Sequence, residues 1–126
     1  MTQIANIVVK NGAATPADVT FVAYQPQSGS DPAVWYAKTG DTRNKWTSLT
    51  STVRRTPNKA SKLRFNITIP LFDVLGVQYG SIPTSVEMTI ADVAPATNIS
   101  DAQAYLANIM ASAVIKDMIL TASPAI

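Results

Sequence analysis

Leu49-Thr50-Ser51-Thr52-Val53-Arg54 and Lys62-Leu63-Arg64-Phe65-Asn66-Ile67-Thr68-Ile69 are two stretches in which side-chain character alternates residue by residue. In the first, Thr50, Thr52 and Arg54 alternate with Leu49, Ser51 and Val53. In the second, Lys62, Arg64, Asn66 and Thr68 alternate with Leu63, Phe65, Ile67 and Ile69. Successive side chains of a strand point to opposite sides of the sheet, so this pattern predicts two strands with one apolar and one polar, basic face. Thr56-Pro57-Asn58-Lys59 supplies the turn that joins them as a hairpin. Val86, Met88 and Ile90 alternate with Ser85, Glu87 and Thr89, which predicts a third strand after a connection from Leu71 to Thr84 holding Gly76, Gly80 and Pro83.

Upstream, residues 4–10 and 19–24 are β-prone runs separated by Asn11-Gly12 and Thr15-Pro16, a hairpin signal with a longer connection. Residues 25–32, with Pro26, Ser28, Gly29, Ser30 and Pro32, have loop chemistry, and residues 33–38 form a short strand with Trp35 and Tyr36. Thr39-Gly40-Asp41 turns the chain. Downstream of Ala94-Pro95 the period changes. Tyr105, Leu106, Ile109, Met110, Ala113 and Val114 recur at helical spacing, with Asn98 or Ser100 as a cap and Asp101 in the first turn. The pattern continues through Ile115, Met118 and Ile119 to Pro124 with no Gly or Pro inside it, which leaves one long helix or two short ones open. Strands followed by helices define an α+β fold: an N-terminal hairpin and an antiparallel sheet with C-terminal helix or helices on one face.

The 126 residues, 47% hydrophobic, suit one domain: 1–24 as the hairpin, 33–93 as the sheet with its 71–84 loop, and 98–122 as the helical region. Charged residues make up only 14% of the chain, as expected of a surface buried largely against other copies. There is no histidine and no cysteine. That removes the usual zinc sites, Ser-His-Asp triads, Cys-His pairs and disulfides. The eight acids, Asp18, Asp31, Asp41, Asp73, Glu87, Asp92, Asp101 and Asp117, are scattered, and the five glycines form no phosphate-binding motif. A non-enzymatic protein without cofactor or metal is expected. The N-terminus has neither a basic region nor a long apolar core, and no window reaches the roughly 18 apolar residues of a membrane span, so a soluble protein is expected.

The net charge of +2 hides a strong asymmetry. Arg43, Lys45, Arg54, Arg55, Lys59, Lys62 and Arg64 fall together, and no acid lies between Asp41 and Asp73. The middle of the chain is therefore a candidate surface for a polyanion. On the polar strand face Arg54 and Arg64 offer forked donors for phosphate, while Thr50, Thr52 and Asn66 supply short donors and acceptors for an unpaired base. A plain solvated sheet surface would carry similar Thr and Arg residues. What distinguishes this one is that every charge on its two central strands is positive. Trp35, Tyr36 and Trp46 are either base-stacking platforms or interface anchors, and the short, uncharged strand around Trp35 and Tyr36 favours the interface. The helical stripe of Tyr105, Leu106, Ile109 and Met110 is expected to be core or dimer packing.

The order of these pieces resembles the coat proteins of single-stranded RNA bacteriophages, the leviviruses, over essentially the whole chain. The stretches that carry the resemblance are Asn11-Gly12 through Asp18-Val19-Thr20, Val34-Trp35, Leu49 to Arg54, the run to Ile69-Pro70, and Ala96-Thr97-Asn98 with Ser100-Asp101. The resemblance implies an intertwined homodimer with one continuous sheet, helices crossing onto the partner, and assembly into an icosahedral T=3 virion shell in the bacterial host cytoplasm. It further implies that the inner sheet face packages genomic RNA and binds a hairpin operator as translational repressor. The family's adenine pocket then falls on Thr50, Thr52, Arg64 and Asn66, with Arg54 and Lys62 as backbone contacts and Ser85, Glu87 and Thr89 on the last strand. Ser85 replaces the Tyr that relatives use for stacking, and Arg64 and Asn66 replace the pocket's usual Thr and Lys, so the hairpin recognised is expected to differ. The 71–84 loop resembles the one around the shell's symmetry axes, here without a cysteine to staple it. The alternative function is a small RNA-binding regulator that uses the same basic face without assembling.

Overall fold

The alternation around Thr50 and Asn66 produces the two central strands of the sheet. In the computed structural model, which describes residues 3–38, 40 and 42–125, the strands are β1 (Ile7–Lys10), β2 (Asp18–Gln25), β3 (Ala33–Ala37), β4 (Thr47–Thr56), β5 (Ala60–Phe72) and β6 (Gln78–Ala91). They form one six-stranded antiparallel sheet in sequence order, followed by α1 (Ala96–Met110) and α2 (Ala113–Thr121). The α+β fold therefore matches the expectation. The chain divides into two units, one ending at Thr89 and one beginning at Ile90. The expected Thr39-Gly40-Asp41 turn includes Thr39 and Asp41, which lie outside the described residues.

Local chemistry sets the turns. Between β1 and β2, Asn11 Oδ1 accepts from the Ala13 and Ala17 N–H groups (3.2 and 3.0 Å), and Lys10 pairs with Asp18 at 2.5 Å where the strands end. Ala23 and Gln25 flank an irregularity in the β2–β3 register. The following loop is tied by a Ser28–Asp31 bridge across Gly29, whose φ of 59° lies in the left-handed region open to glycine. The β4–β5 hairpin turns through Pro57–Lys59 as read from the sequence.

The expected loop over 71–84 is corrected: β5 runs to Phe72 and β6 already begins at Gln78. Asp73 closes this short turn, its Oδ1 accepting from Leu75 and Val77 N–H (both 2.9 Å) while its backbone N–H donates to the Val77 carbonyl (3.0 Å). Gly80 and Pro83, which read as breakers, lie inside β6. That strand is at the edge of the sheet, where a proline's missing donor is tolerated.

Two helices form, not one. Ser112 separates them by serving both: its Oγ donates to the Ile109 carbonyl (2.8 Å) and accepts from Ile115 N–H (3.4 Å), and the axes diverge by 56°. Neither helix is long and apolar enough to cross a membrane. The expected caps Asn98 and Ser100 are inside α1, which starts after Pro95 without a side-chain cap. The chain enters α1 from extended backbone at Pro95, whose carbonyl accepts from the Asn98 and Ile99 N–H groups (3.0 and 3.2 Å). α2 ends at Thr121, capped by Ala122 at φ 51°, before Pro124 is reached.

The core of the single chain is thin. Among the described residues Phe21, Ala33, Ala37, Ala60 and Thr47 are buried, and no large side chain is fully enclosed. Val53, Phe65, Ile67 and Ile69 of the apolar strand positions remain 36–49% exposed, and neither helix has a buried residue.

Candidate nucleic-acid interface

The register of β4 against β5 decides which side chains meet. Thr50 lies opposite Asn66, Thr52 opposite Arg64 and Arg54 opposite Lys62. Cross-strand partners share a face, so all six polar residues stand together. Leu49 opposite Ile67 and Val53 opposite Leu63 take the other side. Glu87 joins from β6, its carboxylate 2.5 Å from Lys62 Nζ.

These residues line an open concavity of about 340 Å³. Seven of the eight expected site residues, Thr50, Thr52, Arg54, Lys62, Arg64, Asn66 and Glu87, are on its wall. Thr89 is not, although two residues beyond Glu87 on the same strand it faces the same side. Ser30 and Pro32 complete the wall and were not expected; a loop that reaches the site only in three dimensions leaves no periodic signal.

The concavity is polar and cationic. Arg54, Lys62 and Arg64 carry three positive charges against the single carboxylate of Glu87. Among the described residues no hydrogen bond or ion pair occupies Arg54 or Arg64, so their forked donors point to solvent. The Lys62–Glu87 pair is half-exposed, and such a pair contributes about 0–1 kcal/mol. No group of three or more acids among the described residues forms a metal site. The arrangement offers binding chemistry: planar donors for phosphate oxygens, and hydroxyl and amide groups for a base edge.

Trp35 and Tyr36, grouped by the sequence as one interface element, separate. Trp35 lies opposite Leu49 on the apolar side, with Nε1 donating to the Ala5 carbonyl at 2.8 Å. Tyr36 lies opposite Ser48 on the polar side. Adjacent strand residues cannot share a face.

The levivirus coat protein family matches residues 2–125, and the chain belongs to that family. It is a structural capsid protein. Its fold is similar to the virus-like particle of bacteriophage NT-214, with 27% identity and a TM-score of 0.87 over 99% of this chain and 100% of that one. The bacteriophage GA protein capsid is 20% identical, with a TM-score of 0.75 over 95% of each chain. An unassembled virus coat protein dimer, described as a bacteriophage RNA-binding dimer, is 21% identical with a TM-score of 0.70 over 97% of each. No curated protein matches the chain in sequence.

Proposed function

We propose that this coat protein acts as a homodimer that closes into an icosahedral shell, with the basic sheet face turned to the packaged genome. The observation that carries the RNA reading is the concavity over β4, β5 and β6, where Arg54, Arg64 and Lys62 surround Thr50, Thr52 and Asn66. Phosphates pair with the guanidinium groups, and an unpaired base sits between the short polar side chains. The same site binds an RNA hairpin, which represses translation and nucleates packaging.

The dimer reading rests on surface the single chain leaves open. β6 is a 14-residue strand at the sheet edge, whose free backbone groups favour pairing with the same edge of a second copy. The exposed Val53, Phe65, Ile67 and Ile69 form an apolar face suited to a partner's helices. In this arrangement the two units of the chain work as one coat-protein domain, assembled in the bacterial cytoplasm.

The test is electron microscopy of the protein expressed alone in bacteria, with the nucleic-acid absorbance of the purified fraction recorded. Uniform closed shells containing RNA are expected. Free dimers that bind RNA but never assemble would replace this reading with that of a non-assembling RNA-binding regulator.

A further inference from the structure

The polar sheet face does not stop at the concavity. Tyr36 of β3 lies opposite both Val22 and Ser48, and Ser48 lies opposite Thr68. This row precedes the Val34–Thr50–Asn66 row by two residues, about 7 Å along the strands. Tyr36 is surrounded by further aromatic and cationic groups. Tyr24 meets its ring edge-on, with centroids 5.2 Å apart at 80°, and Trp46 lies 5.7 Å away at 59°. The Arg43 guanidinium carbon is 4.6 Å from the Tyr24 ring centre and 5.3 Å from that of Tyr36, and Arg43 Nη2 donates to the Tyr36 hydroxyl at 3.5 Å.

We propose that Tyr24, Tyr36, Trp46 and Arg43 form a second RNA contact, taking the base and phosphate of a single-stranded nucleotide that flanks the one held in the Thr50–Asn66 concavity. This rests on the RNA-binding reading above and extends it by one nucleotide position. Three observations carry it.

The first is placement. Aromatic rings on the apolar side would add to core or dimer packing, as Trp35 does, but this cluster stands on the polar side, and Tyr24 keeps 55% of its surface exposed. A ring left in water beside a cationic surface is a stacking platform that accepts any base.

The second is charge. No carboxylate among the described residues pairs with Arg43. A guanidinium is charged at every working pH, and the hydrogen bond to Tyr36 raises the pKa of this one above its ordinary value. A guanidinium resting on aromatic rings keeps in-plane N–H donors at its rim, the geometry that grips a phosphate with two parallel bonds. Lys38 Nζ, 5.4 Å from the Trp46 ring centre, adds a second cation.

The third is rigidity. A Cβ at Gly40 would come 2.5 Å from Lys45 Cβ, and Trp46 Nε1 donates to the Gly40 carbonyl at 3.1 Å. The short helical turn Arg43–Lys45 is thus packed against Gly40. The Arg43 guanidinium at the start of this turn already rests on the Tyr24 and Tyr36 rings, which lowers the ordering cost of binding.

The experiment measures the affinity of full-length dimers for fluorescent single-stranded oligoadenylate, and for its abasic counterpart, across a salt series. Arg43→Gln, Arg43→Lys, Tyr24→Leu and Arg54→Ala are compared with the parent, with circular dichroism and dimer size as folding controls. Arg43→Gln is expected to weaken binding and to reduce the salt slope by up to about 0.7, with Arg43→Lys restoring the slope but only part of the affinity. Tyr24→Leu is expected to weaken oligoadenylate binding about tenfold and to leave the abasic probe and the salt slope unchanged. Unchanged affinity in folded Arg43→Gln and Tyr24→Leu dimers, while Arg54→Ala loses it, overturns this second contact and leaves the first standing. Loss of shell assembly with RNA affinity intact overturns it in favour of a contact between subunits. A parent dimer that binds neither probe overturns both readings.

Discussion

Gln27 completes a hydrogen-bonding position of the sheet at Val53: its Nε2 donates to the Val53 carbonyl and its Oε1 accepts from the Val53 N–H, both at 2.9 Å. β3 reaches only as far as Ala33 opposite Ser51, so Val53 projects beyond the end of its neighbour. The Gln27 amide stands in for the missing peptide group. In doing so it fixes the loop of residues 26–32 alongside β4, which brings Ser30 and Pro32 to the rim of the concavity.

Gln27→Ala removes both bonds, and the expected loss is about 1–2 kcal/mol of unfolding free energy, moderated by water that replaces the amide at this exposed position. Urea denaturation reads it as a lower midpoint with an unchanged slope. RNA affinity falls alongside, because one wall of the concavity loosens. Undiminished stability in Gln27→Ala would show that the loop is held by other contacts.

Arg54→Ala and Glu87→Gln are expected to act in opposite directions. Removing Arg54 or Arg64 deletes a phosphate contact, so affinity for single-stranded RNA drops and the salt slope becomes shallower by up to about 0.7 per contact, with dimerisation intact. Neutralising Glu87 releases Lys62 for a phosphate, so affinity rises and the slope steepens. Fluorescence anisotropy titrations over a salt series measure both. Stability changes by no more than about 1 kcal/mol in Glu87→Gln, since the pair it breaks is half-exposed.

Ile67→Asp puts a carboxylate on the apolar face opposite Leu49. The single chain leaves Ile67 36% exposed, so the charge itself is tolerable in an isolated subunit, but a partner covering that face would have to bury it. Loss of soluble dimer is expected, read by light scattering on a size-exclusion column. Recovery of normal dimer would mean that the face stays open to water in the assembly.

What the sequence made legible is the part governed by local periodicity. Thr50, Thr52, Arg54 and Lys62, Arg64, Asn66 alternate strictly, and a one-residue slip would have turned every one of them to the other face, so their common side follows from the pattern alone. Gly80 and Pro83 misled because a breaker in mid-strand is an ordinary feature at a sheet edge, and edge position is a property of the whole fold. Sequence does not fix the helix break at Ser112, because serine is tolerated in helices as well as at caps; only its bonds to Ile109 and Ile115 distinguish the two. Gln27, Ser30 and Pro32 act on β4 residues distant in sequence, and a polar loop carries no mark of where it will land.

Pro83 sits within the long edge strand β6. A sheet edge of 14 residues is also a template for indiscriminate stacking of newly made chains into fibres. Proline has no N–H to donate, so the hydrogen-bonding pattern of β6 is broken at one fixed residue. A proline within a long edge strand is one of the features that discourage open-ended strand stacking.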